Sequence, residues 1–80
     1  MAGPELGKIT RQNGVAGQVS YSVKVTYPGA APSVVQFVGS TFGGPVVMVT
    51  RTFGQQFVRD QGRFGPFGPE WVRRFFEGSE

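Results

Sequence analysis

The 80-residue chain contains no cysteine and no histidine. Without cysteine, neither a disulfide nor a thiolate metal site can reinforce the fold. Without histidine, the commonest general base and the commonest metal ligand are both missing. Carboxylates are scarce too: one aspartate, Asp60, and four glutamates, two of them near the chain ends. Asp60 and Glu70 stand close in sequence to Arg59 and Arg63, and single carboxylates beside arginines are far more often ion pairs than general acids. The expectation is a protein that is not an enzyme and takes no cofactor.

Other absences narrow the partner classes. No stretch approaches the roughly eighteen apolar residues of a membrane span. The opening MAGPELGKIT holds no apolar run of signal-peptide length, so a cytoplasmic protein without a membrane partner is expected. The glycine-containing segments GGP (43–45) and FGPFGP (64–69) match neither GxGxxG nor GxxxxGK[ST], which leaves a nucleotide site unsupported. Charge is also thin. Eight basic residues against five acidic give a net +3, spread from Lys8 to Arg74 and not clustered as counterion-release binding to nucleic acid requires.

The chain is instead rich in glycine (13), phenylalanine (8) and proline (6). Residues 1–17, MAGPELGKITRQNGVAG, show no hydrophobic period and read as a flexible, disordered N-terminal tail, or alternatively as a loosely attached edge segment around Lys8 to Arg11. Residues 18–80 form a single small domain. It opens with QVSYSVKVTY (18–27), where Val19, Tyr21, Val23, Val25 and Tyr27 alternate with polar residues, the period-two pattern of a strand buried on one face. PGAAPS turns the chain into a second strand from Ser33, and Gly43 and Gly44 suit the positive φ of the next reversal. VVMVTRTF (46–53) reads as the third and most buried strand. Beyond Gly54, QQFVRD is a short fourth strand or a bulged continuation. After the irregular QGRFGPFG, residues 69–77 predict one helix, with Pro69 at its first position, Glu70 at the positive end of its dipole and Gly78 at its stop. Trp71, Val72, Phe75 and Phe76 share one face of that helix. The fold class is α+β: an antiparallel meander of three or four strands packed by one C-terminal helix.

Two partner readings follow. Eight phenylalanines are more than one thin sheet needs, and surplus apolar surface points to a protein partner or to self-association. The candidate contact residues are Phe64, Phe67, Trp71, Arg73, Arg74, Phe75 and Phe76, with Trp71 mainly core. The alternative is a small basic nucleic-acid-binding protein. In it Tyr21, Tyr27, Phe37 and Phe42 would stack on bases while Lys24, Arg51, Arg59 and Arg63 meet phosphates.

The ending RFGPFGPEWVRRFF, with GGPVVMVT and QQFVRD before it, resembles the C-terminal ends of small uncharacterised proteins of actinobacteria and their phages, which favour a similar arginine-rich FGPEWVRRF ending. The likeness runs from residue 43 to the end of the chain. It implies a phage or prophage accessory or structural role, with virion association as the corresponding location, and it brings no activity and no functional residues.

The helix carries the largest apolar side chains, and a bare small sheet is not independently stable. A chain lacking residues 69–80 is therefore expected to lose cooperative thermal unfolding and amide dispersion in a proton–nitrogen correlation spectrum; a well-dispersed, cooperatively melting truncation would contradict the helix-on-sheet arrangement.

Overall fold

The computed structural model describes residues 3–51 and 65–77, together with the backbone of 54–60. In chain order the elements are β1 (Glu5–Leu6), β2 (Thr10–Asn13), β3 (Gln18–Thr26), β4 (Ser33–Ser40), β5 (Pro45–Thr50), β6 (Gly54–Asp60) and α1 (Pro69–Glu77). Every strand pairing is antiparallel, in the order β1-β3-β4-β5-β6, with β2 also paired to the outer edge of β3. The expected α+β meander is what the chain forms, and β6 is a paired fourth strand of it.

Alternation in β3 has the expected consequence. Val19, Tyr21, Val23 and Val25 are buried, and across the β3–β4 register Tyr21 stands opposite Phe37 and Val23 opposite Val35, both buried as well. Onto this face α1 lowers Trp71 and Val72, each fully buried. The helix begins where Pro69 needs no amide partner, and its first backbone bond runs from Val72 N–H to the Gly68 carbonyl at 3.2 Å. The proposed stop at Gly78 lies outside the described residues. Among the described residues no helix is long and apolar enough to cross a membrane.

The turns follow from residues that tolerate or prefer their dihedrals. Between β3 and β4, Ala30 N–H donates to the Tyr27 carbonyl at 3.0 Å across Pro28 and Gly29, whose φ is 78°. Proline followed by a positive-φ glycine is the type II arrangement. Between β4 and β5, Gly43 and Gly44 adopt φ of 107° and 95°, as their position in the sequence suggests.

Three expectations need correction. Residues 1–17 do not form a disordered tail over their described part: Glu5–Leu6 and Thr10–Asn13 are strands on β3. They are held by backbone hydrogen bonds to an edge, and by Leu6 and Ile9, which pack against the core. The register moves from Leu6 opposite Val25 to Thr10 opposite Ser22, so three residues (7–9) face two (23–24). That bulge places Leu6 and Ile9 on one side although they are three apart, a spacing that reads as aperiodic for a regular strand. Second, β5 is not the most buried strand. Only Val46 is buried there, because its consecutive valines are divided between a covered and an uncovered face. Third, Tyr27 lies past the end of β3 and is exposed, away from the face the helix covers.

Ala16 adopts φ 54° beside Gly17 at 77°, in a turn closed by Gln18 N–H donating to the Val15 carbonyl at 3.0 Å. A side chain in this left-handed region costs about 1 kcal/mol, and asparagine tolerates it better than alanine. Ala16→Asn is expected to stabilise the fold by about 0.5–1 kcal/mol, raising the thermal midpoint by about 2–8 °C in a chain of this size. A lowered midpoint would contradict the turn geometry.

Candidate interaction surface

The two faces of the sheet differ in chemistry because, among the described residues, the buried rings have gathered on one of them. Phe37 is fully buried and meets Trp71, Phe75 and Phe76 edge-on, with ring centroids 5.8, 5.2 and 5.7 Å apart. Phe67 extends the cluster, edge-on to Tyr21 at 5.1 Å and to Trp71 at 5.4 Å. Such pairs contribute about 0.5–1.5 kcal/mol each beyond the area they bury. Phe67 fits because Gly39 lies beneath it: a Cβ at Gly39 would stand 3.0 Å from two of the ring carbons and 3.3 Å from a Val46 methyl.

The residues first considered for a contact patch are thereby divided. Trp71 is interior, and Phe67, Phe75 and Phe76 are half-buried against the core. Arg73 and Arg74 are exposed; Arg73 Nη1 is 3.4 Å from Glu70 Oε2, while Nη1 of Arg74 lies 3.6 Å from where a Gly65 Cβ would be. An exposed pair of that kind contributes at most a few tenths of a kcal/mol. Phe64 falls outside the described residues.

The nucleic-acid reading meets a geometric obstacle. Tyr21 and Phe37 are core residues and offer no face to a base. Tyr27 and Phe42 are exposed but stand at opposite ends of the sheet, separated by the nine-residue length of β3, about 30 Å. Of the cations, Lys24 and Arg51 lie toward the Tyr27 end, Arg59 pairs in register with Val46 toward the other, and Arg63 is outside the described residues. The structure joins these groups into neither a stacking platform nor a phosphate track.

The face away from α1 has no covering element among the described residues. It presents Ser20, Ser22 and Gln36 with the valines Val34, Val38, Val47 and Val49; Val34 is 62% exposed and the others are half-buried. Cross-strand pairing sets Val38 beside Val47 and Gln36 beside Val49. At one end of this face the two hairpin turns touch: Thr41 N–H donates to the Gly17 carbonyl at 3.0 Å, and the Phe42 ring lies over Gly17, whose Cβ, if present, would be 2.5 Å from Phe42 Cε2. Phe42 and Val15 remain 86% and 81% exposed there. Beside them opens a groove of about 490 Å³ lined by Val15, Ala16, Val38, Gly43, Pro45 and Val47. A second, amide-lined groove of about 300 Å³ adjoins it, sharing Gln18 and Val38 and bounded by Gln12, Asn13 and Gln36.

Sequence reasoning overlooked this surface, although a signal for it was present. Each of the doublets Val34–Val35 and Val46–Val47 must send one valine to each face, so a continuous apolar run on a strand covered from one side leaves half its valines outside. Among the described residues no three His, Cys, Asp or Glu side chains gather as a metal site would require. The chain matches no family model, no curated protein and no solved structure.

The close fit of Gly39 beneath Phe67 is testable by a double-mutant cycle. Gly39→Ala is expected to destabilise by about 1–2 kcal/mol in urea unfolding, because the ring it would displace is wedged against Tyr21 and Trp71. In a Phe67→Leu background the same change should cost less than half as much. Equal costs in both backgrounds would place the strain elsewhere.

Proposed function

We propose that the protein is a non-enzymatic interaction module that binds another protein chain through the uncovered face of its sheet. The observation that carries this reading is the division of apolar residues. Among the described residues the buried rings lie on the helix side, yet four valines, Phe42 and Val15 still face solvent on or beside the other side. Contiguous apolar surface of that kind, framed by serines and glutamines, has the composition of a protein-binding patch. Seven of the surface's side chains are β-branched or aromatic, so little rotamer entropy is lost when they are covered: these are the four β-branched valines of the face, Val15, Thr41 and Phe42. The phage or prophage accessory role implied by the C-terminal ending belongs to this proposal only as a setting, and it assigns no residue a task.

The proposal moves the contact surface from the helix to the sheet, and one comparison separates the two. A tagged chain is recovered after brief cross-linking in the cells that produce it, as wild type, as Val38→Lys/Val47→Lys and as Arg73→Ala/Arg74→Ala. Both variants change half-exposed or exposed positions and are expected to keep the wild-type far-UV spectrum, with the unfolding free energy lowered by about 1 kcal/mol or less. Protein adducts should disappear with the lysine pair and persist with the alanine pair. Loss with the alanine pair alone would return the contact surface to α1.

A further inference from the structure

The occupant of the uncovered face can be narrowed by what an interface between identical copies demands. A two-fold interface brings one patch against itself, so it needs a projection and a recess side by side, and polar groups that can pair with their own kind. The turn end of the open face has both. Phe42, next in the chain to the groove-lining Gly43, projects beside the 490 Å³ groove with its ring over Gly17, while Val15 and Ala16 of the Gly17 turn line the groove. A dry cavity of about 150 Å³ already accommodates a benzene ring, so the groove has room for a phenyl side chain.

The polar surroundings are of the self-pairing type. Gln12, Asn13, Gln18 and Gln36 line the adjoining groove, and each amide carries a donor and an acceptor. Charges of one sign would repel across a dyad, and this end avoids them: segments 12–20 and 38–47 contain no charged residue. Neighbouring β6 adds one group of each sign at the register positions of Val46 and Pro45, Arg59 and Asp60. Glu5, Lys24 and Arg51 belong to the other end of the sheet, and Arg11, whose Nε donates to Asn13 Oδ1 at 3.0 Å, stands opposite Tyr21 at a register position of the helix-covered side. A chain of net charge +3 can therefore meet its copy here without opposing like charges.

The area is adequate for such a contact. Strands of four, nine, eight and six residues, about 4.8 Å apart and rising about 3.3 Å per residue, give the whole face of β2–β5 a footprint of about 430 Å² and its turn half about 200 Å². With the projecting Phe42 and Val15 included, two copies together cover up to about 1,000 Å², the size of weak, reversible contacts.

We infer that the protein forms a two-fold dimer through this end of the sheet, Phe42 of each protomer seated in the apolar groove of its partner. The inference rests on the interaction-module reading and names its partner as a second copy of the chain. Sedimentation equilibrium of the purified chain from about 5 to 500 µM should show the mass rising from 8.6 kDa toward twice that value, as a micromolar interface of this size does. Phe42→Ser and, separately, Val15→Ser should each raise the dissociation constant at least tenfold while leaving unchanged the far-UV spectrum and the cooperativity of melting at about 5 µM, where the chain is largely monomeric. A wild-type chain that stays at 8.6 kDa throughout overturns the dimer, as do two serine variants that both associate like wild type. Placing the photo-cross-linker p-benzoylphenylalanine at position 42 in the producing cells separates the two levels of the argument. An adduct of two copies supports the dimer; an adduct to a different protein alone overturns it but keeps the face as a binding surface. The absence of any adduct counts against both.

Discussion

The structure depends on the meeting of Phe37 with the C-terminal helix. A strand residue with no exposed surface receives the rings of Trp71, Phe75 and Phe76 from a helix of nine residues. In a chain without cysteine or histidine this is where a single layer of strands becomes a two-layer fold with an interior. The rest is arranged around it. The alternation of β3 supplies the valine floor, Gly39 leaves the space that Phe67 fills, and Leu6 and Ile9 close the edge from the N-terminal side.

The same concentration of rings on one side explains the character of the other. A short helix can cover one face only, and the bulky groups follow it there. What remains outside is smaller and more mixed: valines interleaved with serines and glutamines, bounded by two turns that lean on each other through the Thr41–Gly17 hydrogen bond. This combination offers shape and apolar area at the turn end, where Phe42 stands next to the groove-lining Gly43. Binding through this side, as proposed, would draw on residues other than those that hold the fold. The aromatic cluster holds the scaffold, and the uncovered side can vary in contact without disturbing the interior.

Much of the architecture was readable from residue order alone. The alternation over 18–27, the glycine pair at 43–44 and the Pro69-initiated apolar stripe each reflect a local rule that the folded chain obeys. What escaped reading depends on register between distant segments. Leu6 and Ile9 look unrelated until a bulge aligns them against Val25 and Val23, and the two-residue ladder of β1 is held by amide groups that composition does not reveal. The burial of β5 was overestimated because a run of valines does not say how many sides of a sheet are covered. For the surface, the aromatics of α1 were the conspicuous candidates. The proposed surface is made instead of unremarkable valines and two glycine-rich turns, whose proximity is a tertiary fact.

The closing helix is also the last of the described elements to leave the ribosome. A chain without residues 69–77 carries Phe37, Tyr21 and its row of valines with nothing from the helix above them, so that both sides of the sheet are open to water. In that condition it presents more adhesive area than the folded molecule does, and a stop codon falling just before the helix would make the condition permanent.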